Sequence, residues 1–256
     1  FRSFDKQSRI SRLGEGGIPS IEAVPDEARS VQPSHLAFMD PIRTPESFKV
    51  GVDVHIARSA MKGPDGQIYS PFTDRRTGET VYKSPQDVAD LTVAFPIEMA
   101  RPGKRAWSMS GGKIRWAKKD EVDLVVPTME NAFSPLGNMI PFKSATKGQR
   151  VAMGSRMITQ ALPLSQPEAP WVQAGIPDDP GNSYEALYGK HMGAMQAKGP
   201  GRVMAVNPDS IQVRYADGTT ESHELYQNFP YNRKTYIHQT PTVKPGDMVQ
   251  AGQTIA

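Results

Sequence analysis

Proline and glycine recur so often in this chain, 23 and 22 residues respectively, that few stretches can propagate a long helix. Proline removes a backbone donor and clashes with the preceding turn, and glycine loses more conformational freedom on ordering than any other residue. The apolar runs left between them are short. VGVDVHIA, QIYSPF, ETVYK, LTVAFP, KIRWAK and VDLVVP fall between residues 50 and 127, and RVMAV and IQVRY follow residue 201. Turn signals such as GPDG, RRTGE, MSGGK and NPDS bound them, which predicts strands. Ser84, Pro85 and Asp87 read as a short helix start with serine at the cap. The expected fold class is α+β and β-rich, with irregular multi-strand modules and a few short helices. Shifts in pattern divide the chain at 1–50, 51–126, 127–201 and 202–256.

Composition removes several functions. The absence of cysteine excludes a disulfide framework, a thiolate metal site and a thiol nucleophile. No apolar run approaches the roughly 20 residues needed to cross a bilayer, so no membrane partner is expected and an intracellular protein is the default. A net charge of +3 is too small to declare a nucleic-acid binder. His35, His55, His191, His223 and His238 lack metal-ligand spacing, and Asp178 and Asp179 are not part of a spaced carboxylate triad. Ser155 after Gly154 lacks the strand-turn-helix context of a nucleophile elbow. No catalytic residue and no metal site is therefore expected in the chain itself. Trp107, Trp116 and Trp171 read as core or interface anchors in preference to base-stacking platforms.

Residues 147–162 predict one clear helix. Thr146 and Gln149 have the spacing of a capping box, and Pro163 ends the run. Val151, Ile158 and Leu162 lie together at 100° per residue, with Met153, Met157 and Ala161 widening the apolar arc. Arg150 falls within that arc and Arg156 on the polar side. Lys147 and Arg150 occupy the first turn, where the helix dipole disfavours a cation but where free amides and two cations would hold an anion such as a phosphate. Arg150 reaching past the methionines to water is the alternative. Arg9 and Arg12, three apart before Gly14, Gly16 and Gly17, would share a helical face, as a nucleic-acid contact or a solvated loop.

The run NMIPFKSATKGQRVAMGSRMITQALPLSQPEAPWVQAG resembles the β subunit of multisubunit DNA-directed RNA polymerases. SRISRLGEGGIP with PSHLAFMDPIRTPES is similar to that family's fork-loop segment, and NRKTYIHQTPTVKPGDMVQAGQTIA to the stretch before its acidic segment. The resemblance implies a fork at 1–50, an inserted β-rich module at 51–126, one wall of the active centre at 127–201 and a barrel-like module at 202–256. It places Arg150 near the triphosphate of the incoming nucleotide and Gln160 toward the RNA 3′ region. Arg9, with Arg12 beside it, is expected near nucleic acid at the fork, and Pro45 and Glu46 on the hybrid side. Expected partners are a β′-like subunit, the remaining β-like segment, other polymerase subunits, template DNA, the RNA–DNA hybrid and nucleoside triphosphates. Mg2+ would be held by the β′-like chain, so this chain alone would be inert.

Leu36, Phe38, Arg43 and Ser47 depart from the tyrosine, arginine, glutamate and glycine usual in bacterial enzymes. Together with the expectation of a β-like chain split near Ala256, this resembles the subunits of giant-bacteriophage polymerases, in the host cytoplasm or virion. The short stretch before the fork carries an expectation of rifampicin resistance. A rival reading is a non-catalytic carrier or scaffold, because VKPGDMVQAGQTIA also resembles half of a biotinyl or lipoyl barrel.

Overall fold

The computed structural model describes residues 2–160, 168, 170–177, 179–230 and 236–256. Two compact units divide the chain, Phe1–Ala174 and Gly175–Ala256, so segment 127–201 is shared between them.

In the first unit, helix α1 (Arg2–Ser8) leads directly into strand β1 (Arg9–Ser11), which pairs antiparallel with β2 (Asp53–His55). Between them the chain forms only the short helix α2 (Asp26–Arg29) and 3-10 turns. Side chains supply the backbone hydrogen bonds that regular structure would otherwise provide. The Arg29 guanidinium donates to the carbonyls of Ile21 at 2.9 Å, Phe48 at 2.7 Å and Val24 at 3.3 Å. The Thr44 hydroxyl donates to the Asp53 carbonyl and accepts from the Gly51 amide, both at 2.9 Å.

A seven-stranded sheet follows, made of β3 (Met61–Lys62), β4 (Ile68–Asp74), β5 (Thr80–Lys83), β6 (Val93–Ala94), β7 (Arg105–Ser110), β8 (Lys113–Lys118) and β9 (Leu124–Val125). Its order is β3-β4-β9-β6-β7-β8, with β5 paired to β4. The β6–β9 pair is parallel and the other pairs are antiparallel. Phe38, Phe72, Val88, Val93, Met109, Leu124 and Val126 form its core, with the rings of Phe38 and Phe72 5.7 Å apart. Strand β7 was not foreseen. Its sequence RAWSMS carries polar residues on both faces, and Ser108 is buried by donating to the Ala106 carbonyl. Ser84 does exchange hydrogen bonds with Asp87, but the residues after it form turns and not the helix expected there.

Helix α3 (Pro135–Asn138) is capped by Ser134, whose hydroxyl accepts from the Gly137 amide. Helix α4 (Gly148–Ile158) begins with Lys147 at the cap and no side-chain cap bond. The expected capping box does not form, because the Thr146 hydroxyl donates instead to the Phe142 carbonyl and closes the preceding turn. The helix ends at Ile158 with Thr159 at its C-cap, short of the expected Leu162, and Leu162 and Pro163 themselves lie outside the described residues. Val151 and Ser155 face inward, while Met157 is exposed. The buried stripe is thus narrower than the expected arc.

The second unit opens with the pair β10 (Gly175–Ile176) and β11 (Asp179–Ser183), followed by helix α5 (Tyr184–His191). Its main sheet is an antiparallel meander as expected, β12 (Gly201–Val206), β13 (Ser210–Tyr215) and β14 (Thr220–Glu224). After the short pair β15 (Phe229–Pro230) and β16 (Tyr236–Ile237), β17 (Met248–Val249) adds to β12. Alternation buries Val203, Ile211 and Val213 together with Val249 and Ile255. Among the described residues no helix is long and apolar enough to cross a membrane.

Candidate nucleic-acid interface

The α1–β1 junction places one carboxylate among three basic side chains. Asp5 lies 2.9 Å from Arg9, 2.5 Å from Arg43 and 2.9 Å from His55 Nε2. Asp5, Arg43 and His55 are all buried. Burial acts to raise the Asp5 carboxyl, but the close polar contacts of His55, Arg9 and Arg43 outweigh it and hold the group well below the usual carboxylate range. His55 is oriented from its other side, with Nδ1 3.0 Å from the Arg43 carbonyl, so both ring nitrogens face acceptor oxygens. Its contact with Asp5 is one of proximity and not a well-aligned hydrogen bond. Asp40 fixes the neighbouring turn: its carboxylate accepts from the Ile42 and Arg43 amides and, across the unit, from the Ser134 amide at 2.7 Å.

Over this cluster opens a groove of about 420 Å³ whose lining includes Arg9, Pro45, Glu46, Met153, Arg156 and Gln160. Strand β1, the Pro41–Glu46 turn and helix α4 each contribute one wall. Arg156 forms an ion pair with Glu46 across the groove, and Arg43 Nη2 approaches Thr159 Oγ1 at 3.5 Å. Of the residues expected at a site, Arg9, Pro45, Glu46 and Gln160 therefore share one surface.

Arg12 does not join them. Residues 9–11 form a strand and not a helix, so residues three apart point to opposite sides. Arg12 Nε donates to the Gly51 carbonyl at 3.0 Å and sits in a separate cavity with His35. There burial first and the Arg12 charge second push the His35 imidazole below its ordinary value. Arg150 is exposed in the first turn of α4 and has no hydrogen-bond or ion-pair partner among the described residues. It heads the helical stripe Arg150, Met153 and Met157, spaced 3 and 4, and the two methionines line the groove together with Gln160 from the turn that follows the helix. A Cβ at Gly154 would meet only Ile140 Cδ1 at 3.9 Å, so the space beside Arg150 is open.

No family model matches the chain. It does align, over 99% of its length and 262 residues, with the DNA-directed RNA polymerase subunit β of Thermus aquaticus at 30% identity. The β subunits of Rubrobacter xylanophilus and Caldicellulosiruptor bescii align with 97% of it at 29% and 31% identity. The chain is homologous to a segment of the RNA polymerase β subunit. It spans between 20% and 23% of the length of these curated relatives.

The four residues that the resemblance sets apart each have a definite place in the fold. Phe38 is fully buried against Phe72 and Leu36 packs beside the same core. Arg43 supplies the buried partner of Asp5. Ser47 adopts φ +67°, a left-handed conformation that glycine takes without penalty and serine does not. Ser47→Gly is expected to raise stability by about 1 kcal/mol, read as a higher denaturant midpoint at unchanged slope.

Asp5, Arg43, His55 and Arg156 were not among the residues expected at a site. The spacing of Asp5 and Arg9 by four was a local signal for one ion pair. The Arg156–Glu46 pair spans 110 positions and leaves no local trace.

Proposed function

We propose that this chain serves as part of the β-like subunit of a multisubunit DNA-dependent RNA polymerase, forming the fork and the wall that position the incoming nucleotide and the RNA–DNA hybrid. The observation that carries this reading is the groove itself. It gathers Arg9, Pro45, Glu46 and Gln160 from three separated segments onto one face, and Arg150 stands at the head of the helix stripe that lines it. Arg9 and Gln160 offer donors to phosphate and base, and the Arg156–Glu46 pair anchors the turn that carries Pro45 to helix α4. Arg150 and the uncapped amides of the first turn of α4 offer an anion charge-assisted donors aligned with the helix dipole. Its exposure and lack of a partner favour this over a structural role.

Among the described residues no group of three His, Asp or Glu side chains is placed to hold a metal ion. The Mg2+ ions of nucleotidyl transfer would belong to a β′-like partner and would neutralise charge on the reacting phosphates when bound. This chain's own residues bind and orient. Template DNA, the RNA–DNA hybrid and nucleoside triphosphates are the ligands that follow, with the remaining β-like segment and the other subunits as partners. The substitutions at Leu36, Phe38, Arg43 and Ser47, at about 30% identity to the bacterial chains, support a divergent subunit of the bacteriophage type.

Arg150→Ala in the reconstituted enzyme tests the site. Loss of a charge-assisted bond of about 1.5–3 kcal/mol is expected to lower kcat/KM for nucleotides by about 10- to 100-fold while subunit assembly is unchanged. Unaltered nucleotide kinetics would remove Arg150 from the triphosphate site.

A further inference from the structure

The β7–β8 hairpin lies at one end of the seven-stranded sheet, and every residue of β8 except Ala117 is exposed. One face of it is built from the cross-strand pairs Arg105–Lys118, Trp107–Trp116 and Met109–Ile114. At Met109 that face is buried in the sheet core, and it emerges into solvent at the tryptophans. Trp107 and Trp116 are 38% and 46% exposed, with ring centroids 4.7 Å apart. They are therefore not core residues, contrary to one arm of the sequence expectation.

Charge distinguishes what could cover this face. Residues 101–119 contain seven Lys and Arg and no Asp or Glu. Arg101 pairs with Glu98 and Lys118 with Glu121, and Lys119 is held by the carbonyls of Met99 and Arg101. Lys104, Arg105 and Lys113 have no carboxylate partner among the described residues. The centres of protein interfaces are depleted in lysine and in charge. Of the three unpaired cations, Arg105 shares the face of the two tryptophans, and exposed aromatic rings beside an unpaired arginine on a cationic hairpin match surfaces on which bases stack while the backbone is neutralised.

We propose that this face binds single-stranded nucleic acid, with bases stacking on Trp107 and Trp116 and phosphates meeting Arg105 and its cationic neighbours. The site lies outside the groove and does not depend on Arg150.

Titration of the full chain with labelled oligodeoxythymidylate tests it. Binding should quench tryptophan fluorescence and weaken with salt. The double variant Trp107→Ala/Trp116→Ala should lose affinity by about 10-fold or more, while Trp107→Phe/Trp116→Phe, which keeps both rings, should stay within about 3-fold. Lys104→Ala/Arg105→Ala/Lys113→Ala should flatten the salt dependence. In the reconstituted enzyme the double alanine variant should leave the nucleotide KM unchanged, so this site and the Arg150 site fail independently. Oligonucleotide affinity unchanged in the double alanine variant would overturn the proposal. So would capture of a polyglutamate peptide in place of the oligonucleotide, which would mark the face as a dock for an acidic protein.

Discussion

Asp5→Asn is expected to destabilise the chain by about 3–5 kcal/mol at neutral pH, because it leaves Arg43 buried without its counter-charge. An exposed ion pair contributes only about 0–1 kcal/mol. The size of the effect here comes from desolvation: a guanidinium already removed from water keeps that penalty when its partner becomes neutral. The pH dependence has a definite sign. The Asp5 carboxyl titrates lower in the folded chain than in the unfolded one, so its contribution is present above about pH 4, the unfolded value. It is lost as pH falls from there through the lower folded value. Chemical denaturation across this range should show the wild-type chain weakening on acidification and Asp5→Asn weakening less. A variant within about 1 kcal/mol of wild type at pH 7 would show that Arg43 finds another partner.

Gly51→Ala should cost about 3 kcal/mol. Gly51 has φ +67°, and an added Cβ would sit 2.0 Å from the Arg29 carbonyl oxygen and 2.7 Å from its carbonyl carbon. Neither atom is the free end of a flexible side chain, so the backbone itself must move. That backbone carries the guanidinium joining Ile21, Val24 and Phe48. Gly51 also accepts from Arg12 and donates to Thr44, so the displacement reaches both ends of the loop. Gly154→Ala is the matched control, since its Cβ meets nothing closer than 3.9 Å. If the two variants melt alike, the close approach at Gly51 carries no energy.

The strands were legible in the sequence where alternation and turn chemistry act locally. KIRWAK and IQVRY became β8 and β13 as read, and the α+β, β-rich class followed from the spacing of proline and glycine. RAWSMS was illegible as a strand because it carries polar residues on both faces, and the buried Ser108 is satisfied by the Ala106 carbonyl of its own strand. The N-terminus of α4 was misread for a related reason. Thr146 had two acceptable partners, and the carbonyl of Phe142, in the left-handed region at φ +56°, took its hydroxyl. The candidate site was legible in part. Helical periodicity separated Arg150 from Arg156, and the family resemblance grouped Arg9, Pro45, Glu46 and Gln160. Neither could show that Arg156 meets Glu46, or that Arg12 turns away, because both depend on contacts between distant segments.

The bonds beneath and across the groove join positions 38, 110 and 116 residues apart in the chain. Closing loops of that length is entropically unfavourable until both ends are in place. During synthesis at about 5–20 residues per second, the segment around Asp5 and Arg43 would leave the ribosome several seconds before helix α4 exists. For that interval the Pro41–Glu46 turn lacks its α4 anchor and Arg9 has no opposite wall. Assembly of the groove thus follows the emergence of α4, and the buried Asp5–Arg43 pair is the half that can form first.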